Sequence, residues 1–78
     1  MRGITVVVSN DWEACYFEDV CIRQDVSLMM ANGTLFAGGE MFALQQFIRS
    51  TDKLDEYYKE HNKYPDTFEE TKKLLDNT

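Results

Sequence analysis

Five consecutive residues, Ile4-Thr5-Val6-Val7-Val8, constrain this chain more than any other feature in it. All five are branched at Cβ, which narrows χ1 and suits a pleated backbone better than a helix. Apolar side chains occupy both alternating sets of positions, so a strand formed here needs cover on both faces, as in the interior of a sheet. The whole chain has 78 residues with which to supply that cover. A domain of this size hides only about 60% of the surface its unfolded chain exposes, so its stability margin is narrow and pairing with a second copy is a common remedy.

Hydrophobic residues make up 44% of the chain and aromatic ones 13%, too many for disorder. The net charge of −6 repels a phosphate backbone, so direct nucleic-acid binding is not expected and basic protein partners are favoured. Met1 to Ser9 is too short for the apolar region of a signal peptide, and acidic residues follow at once. No apolar run reaches membrane-spanning length. These features predict a single cytoplasmic domain over 1–78, with a β-rich part at 1–37 and a helical part at 40–76.

Two further apolar runs, Trp12 to Phe17 and Val20 to Asp25, are separated by Glu18-Asp19, the spacing of a tight hairpin. That loop pairs Phe17 with Val20, Cys15 with Ile22 and Glu13 with Gln24 on one face. On the other it pairs Tyr16 with Cys21, Ala14 with Arg23 and Trp12 with Asp25. The two cysteines then point in opposite directions. One extra loop residue would leave them as diagonal neighbours about 7–8 Å apart, beyond the ~4 Å between Cβ atoms that a disulfide needs. With no third thiol and one histidine, His61, neither a metal site nor another cofactor is expected. The thiols read as small packed hydrophobes.

Leu28-Met29-Met30-Ala31 and Thr34-Leu35-Phe36-Ala37 flank Asn32-Gly33, which predicts a second hairpin, and Gly38-Gly39 marks a break after it. From Glu40 the apolar period changes. Met41, Leu44, Phe47, Ile48, Thr51, Leu54, Tyr58 and His61 recur at steps of three and four, the stripe of an amphipathic helix. Ser50-Thr51-Asp52 can interrupt it and cap a second segment, and Tyr64-Pro65 stops it. Asp66-Thr67-Phe68-Glu69-Glu70 then reads as a capping box opening a short helix through Leu75. The expected fold is α+β: a small antiparallel meander of three to four strands, one long or broken amphipathic helix and a short C-terminal helix.

Catalytic signatures are missing from the sequence. Gly38-Gly39-Glu40 lacks the lysine and hydroxyl of a phosphate loop, and no serine sits in a nucleophile elbow. His61 falls near a helix end, where capping or packing accounts for it. Glu18-Asp19 and Glu69-Glu70 suit a turn and a first helical turn. A small enzyme using such acids stays open only as a second alternative.

Three surfaces remain as candidates. Trp12, Tyr16, Arg23 and Asp25 form a partner-binding face if the helices cover the side that bears Cys15, Phe17, Val20 and Ile22, since Trp, Tyr and Arg dominate binding hot spots. Met29, Met30, Leu35 and Phe36 crowd one region and suggest a homodimer interface. Asp55, Glu56 and Glu60 form an acidic face that admits, as the first alternative, mimicry of DNA toward a nucleic-acid-binding protein, although lysines are interspersed with them.

The run Ile4 to Glu13, with Asp11-Trp12-Glu13 followed by Tyr16, resembles small uncharacterised proteins of bacteria and their phages that open with a strand and a D-W-E-x-x-Y hairpin. The likeness covers about the first third of the chain. Where those proteins carry Asp-Gly-Lys in the turn, this one has Glu18-Asp19-Val20. The resemblance implies a phage or mobile-element origin, and small acidic phage proteins are often inhibitors of host enzymes or defence systems. The expectation is therefore a non-enzymatic module that binds and inhibits a host protein in the host cytoplasm.

Overall fold

The computed structural model describes residues 2–9, 11–25, 34–37 and 39–75, with the side chains at 34, 36 and 37 outside that description. Five strands precede two helices: β1 (Arg2–Val8), β2 (Glu13–Phe17), β3 (Val20–Asp25), β4 (Thr34–Ala37), β5 (Glu40–Arg49), α1 (Asp52–His61) and α2 (Phe68–Leu75). The class is α+β, as the sequence predicts, but the sheet is mixed. Its order is β3-β2-β1-β5-β4, with β1 antiparallel to β2 and parallel to β5. A meander is thereby ruled out, because a parallel pair needs a crossover and not a hairpin.

β1 is the central strand that its composition demands. Ile4, Val6 and Val8 are buried in one cluster with Cys15, Leu35 and Phe42. Val7 is buried in the other, with Ala14, Tyr16, Leu54 and Tyr64, and only this second cluster includes side chains of α1 and α2. Both helices therefore lie on one face of the sheet.

The largest departure from the sequence reading is residues 40–49, which form β5 and not the first half of a helix. The pairing with β1 shifts register between Ile4 and Thr5: Ile4 opposes Leu44, whereas Thr5 opposes Gln46. Gln45 is the additional residue of a β-bulge, and such an insertion reverses the side on which every later residue points. Phe42 and Leu44 accordingly pack with Ile4, while Ile48 packs with Val7. Gln45 and Gln46 both end on the helix face, where Gln45 lies across Gly3, so close that a Cβ at Gly3 would fall 2.3 Å from its Oε1. The bulge turns a period of two into steps of three and four, which imitates a helix in the sequence.

α1 starts where Ser50-Thr51-Asp52 predicts a cap. Thr51 is extended, and its hydroxyl oxygen accepts the Leu54 amide at 3.4 Å. Asn62 ends the helix in the left-handed region at φ 60°, its amide donating to the Tyr58 carbonyl. At α2, Thr67 Oγ1 accepts the Glu70 amide at 3.3 Å, the forward bond of the expected capping box. Two more of its amides turn to the first hairpin: Phe68 N–H donates to the Asp19 carbonyl and Glu69 N–H to the Asp19 carboxylate at 2.8 Å. No helix among the described residues is long and apolar enough to cross a membrane. The Asn32-Gly33 hairpin lies outside the described residues; β4 instead pairs with β5, Ala37 opposite Glu40, across a turn in which Gly39 takes φ 80°.

Candidate functional site

The first hairpin turns where its spacing predicts. Glu18 and Asp19 adopt φ of 49° and 69°, so both accept the left-handed region at some cost, and Phe17 opposes Val20. Tyr16 opposes Cys21, also as expected, but at the next step the register departs: Cys15 opposes Arg23 and not Ile22, leaving Ile22 as a bulge. The insertion carries Arg23 and Asp25 to the face of Cys15 and Glu13, and brings Gln24 to the face of Ala14. Trp12, Tyr16, Arg23 and Asp25 therefore do not share a surface.

Nor is the tryptophan face open, because the helices cover it. Tyr16 is 2% exposed; its hydroxyl donates to the Pro65 carbonyl at 2.8 Å and accepts from Thr71 Oγ1 at 2.8 Å. Trp12 is half-buried against the Tyr58 ring at 5.0 Å between centroids. Gln24, to which the sequence assigns no role, holds this region together. Its Oε1 accepts from Trp12 Nε1 and from the Tyr64 amide, both at 2.8 Å, while its Nε2 donates to the Tyr64 carbonyl at 3.3 Å. The carboxamide thus stands in for the peptide group of a neighbouring strand. Just beyond, the Cys21 amide donates to the Asp66 carbonyl and Val20 bridges Thr67, so this part of the β3 edge is closed by the chain itself. Trp12, Tyr16 and Gln24 are thus engaged by the fold itself.

The thiols do point to opposite faces, Cys15 among Ile4, Val6 and Val8 and Cys21 toward the helices. Both are free. Burial, with a smaller contribution from the nearby Cys21, pushes Cys15 up to about 12, so it stays a neutral thiol and a poor nucleophile. Burial likewise raises Cys21. Among the described residues no group of three His, Cys, Asp or Glu side chains converges as a metal site.

The proposed dimer surface changes as well. Leu35 is 4% exposed and belongs to the core cluster with Phe42. Met29 and Met30 lie outside the described residues, as does the Phe36 side chain. The acidic face is also smaller than expected. Asp55 is only partly exposed and accepts a 2.7 Å hydrogen bond from Ser50 Oγ, leaving Glu56 and Glu60 exposed on α1 beside Lys53 and Lys59. His61 ends α1 with its ring 4.1 Å from the Tyr57 ring.

Among the described residues Val20, Met41 and Phe47 are the large apolar side chains left about half exposed, and two of them lie on β5. Phe47 is 52% exposed on the face opposite the helices, a consequence of the bulge at Gln45. On the helix face a groove of about 420 Å³ runs between β5 and α2, with Gln46, Ile48, Arg49 and Thr51 on one side and Phe68, Lys72 and Leu75 on the other. Its charged lining residues are both cations. The sequence reading missed this site because it placed Phe47 and Ile48 on a helix stripe; the pair of glutamines interrupting the apolar run was the available signal for a bulge. A smaller cavity, about 160 Å³, lies at the carboxyl ends of β1 and β5 among Val8, Ser9, Arg49, Ser50 and Asp55. Close to it the fully buried Tyr64 hydroxyl makes no hydrogen bond of sound geometry, although the Ser9 and Ser50 hydroxyls are near. Burial pushes its pKa up more than those serines lower it.

The chain matches no protein-family model, no curated protein and no solved structure.

Proposed function

We propose that this protein is a non-enzymatic interaction module of phage or mobile-element origin, which binds and inhibits a protein of its host in the cytoplasm. The contact surface in this reading is β5 with the adjoining groove, and not the hairpin face. The observation that carries it is Phe47, an aromatic side chain left about half exposed on a strand of a chain too small to spare apolar residues. A cluster of interior residues explains Trp12 and Tyr16, whereas neither core cluster among the described residues includes Phe47. Aromatic side chains of this kind are the usual anchors of a protein interface. On the other face of the same strand, Ile48 lines the groove bordered by the cations Arg49 and Lys72.

The test compares tagged wild-type protein with a Phe47→Ser variant in capture from host lysate, followed by mass spectrometry. The expected result is a specific host protein retained by the wild type and lost with the variant, whose thermal unfolding is unchanged. Capture that survives Phe47→Ser but is lost when Glu56 and Glu60 are reversed to lysine would instead assign the contact to the acidic face of α1.

A further inference from the structure

We propose that the cavity at the carboxyl ends of β1 and β5 binds a small free α-amino acid, with its ammonium on Asp55 and its carboxylate on Arg49 and the Tyr64 hydroxyl. This site does not rest on the partner surface proposed above. Topology supplies the first reason. β1 and β5 are parallel neighbours whose connections part at this end: β1 turns into β2 within the sheet, whereas β5 leads into α1. A sheet opens a crevice for a ligand beyond the carboxyl ends of parallel strands whose connections diverge. The ladder runs up to this crevice, where the Ser50 amide donates to the Val8 carbonyl at 2.7 Å.

A buried hydroxyl supplies the second. The cavity of about 160 Å³ is lined by Val8, Ser9, Arg49, Ser50 and Asp55, all of them described residues. Tyr64 is fully buried, and its hydroxyl ends beside two of these, Ser9 and Ser50. Among the described residues no atom completes a hydrogen bond to it. Buried hydroxyls are ordinarily paired, so this one is available to a bound molecule.

The hydrogen-bonding inventory selects the ligand. The Ser9 hydroxyl already donates to the Trp12 carbonyl at 3.2 Å and the Ser50 hydroxyl to Asp55 Oδ1 at 2.7 Å, so both serines offer lone pairs. A carboxylate with two oxygens accepts more than the one bond from Ser50. Asp55, Ser9 and Ser50 together suit a group with several N–H donors, as an ammonium has. Burial raises Tyr64, which therefore keeps its proton and offers one O–H donor. Arg49 adds a guanidinium, the planar fork that fits a carboxylate. A simple anion would meet Asp55 and a simple cation would meet Arg49, and each like-charge contact weakens binding. A zwitterion satisfies both halves. At about 30 Å³ per water the space holds roughly five heavy atoms, which matches glycine.

Titration of the isotope-labelled protein with glycine, followed through amide chemical shifts, tests this. The expected result is saturable binding with shifts concentrated at Ser9, Ser50 and the first turn of α1. Acetate and methylamine each carry one of the two charges and should bind about tenfold more weakly. Arg49→Gln and Asp55→Asn should each weaken glycine by about tenfold. Tyr64→Phe should weaken it about fivefold, the worth of one neutral hydrogen bond, while its melting temperature stays level or rises. A merely structural tyrosine would not set binding against stability in this way. No saturable shift, shifts centred elsewhere, acetate or methylamine bound as tightly as glycine, or full affinity in Tyr64→Phe would overturn the proposal. Should Asp55→Asn fail to fold, Arg49→Gln decides, because that position is exposed: undiminished affinity there overturns the assignment.

Discussion

The hairpin β2–β3 and the outer half of β5 are both aromatic, polar-flanked strand segments, yet one is sealed and the other open. In the hairpin, Trp12 and Tyr16 gain ring contacts with Tyr58 and Phe68, and every polar tip has a partner: Gln24 for the indole, Pro65 and Thr71 for the phenol. In β5, Phe47 has been turned away from the helices by one inserted residue, and α2 stands back from Ile48 across a groove. The difference teaches that aromatic content does not mark a binding surface. What separates the two regions is whether the fold itself covers the apolar side chain.

Substitutions should separate the two regions by stability. Leu54 is fully buried on α1 against the sealed face, so Leu54→Ala should cost about 3 kcal/mol in urea unfolding. Phe47→Ser should shift the same curve by no more than about 0.5 kcal/mol; comparable losses at both positions would erase the distinction. Gln24→Ala comes next, with an expected loss of about 2 kcal/mol, because it strands the Tyr64 amide and carbonyl and the Trp12 N–H together. A loss confined to a few tenths would mean that water replaces the carboxamide and the edge is wetter than these contacts imply.

Alkaline pH probes burial on both faces of the sheet. Cys15 is raised from 9.0 to about 12 by burial, and Tyr16, Cys21 and Tyr64 are raised in the same direction by the same cause. Between those values the unfolded chain releases a proton that the folded chain keeps, so the Cys15 contribution to stability is fully present below pH 9.0 and is lost as pH climbs toward 12. The Cys15 share of the slope is at most about 1.4 kcal/mol per pH unit. Cys15→Ala, compared with wild type over this range by thermal melting, should remove that share and leave the slope due to Tyr16, Cys21 and Tyr64. The smallest effect is expected at Tyr64, whose hydroxyl is buried without a good partner: Tyr64→Phe should fall between no change and a gain of about 1 kcal/mol.

Much of the first hairpin can be read directly from the chain, since a two-residue loop fixes which residues oppose each other next to it. The reading fails at Ile22, where a bulge moves Arg23 off the tryptophan face and puts Gln24 on it. The missed part of the candidate site has the same origin. Leu44, Phe47 and Ile48 are spaced as on a helix, and only the pairing of Thr5 with Gln46 reveals a strand with one residue inserted. The glutamine pair at 45 and 46 is the one local sign of it, and the position of the inserted residue is settled only against the neighbouring strand.

What the amino-acid sequence determined by itself is therefore local: an interior strand at Ile4–Val8, a turn at Glu18-Asp19, thiols facing opposite ways, and helix starts at Thr51 and Thr67. Each follows from side chains acting within a few residues of themselves, through branching at Cβ, a short loop or a capping hydroxyl. Tertiary structure alone decided that residues 40–49 run parallel to β1, where the two bulges fall, and which face the helices cover. Those outcomes depend on the burial that distant segments offer one another, and a strand whose faces differ by one inserted residue has no means of choosing between them until its neighbour is in place.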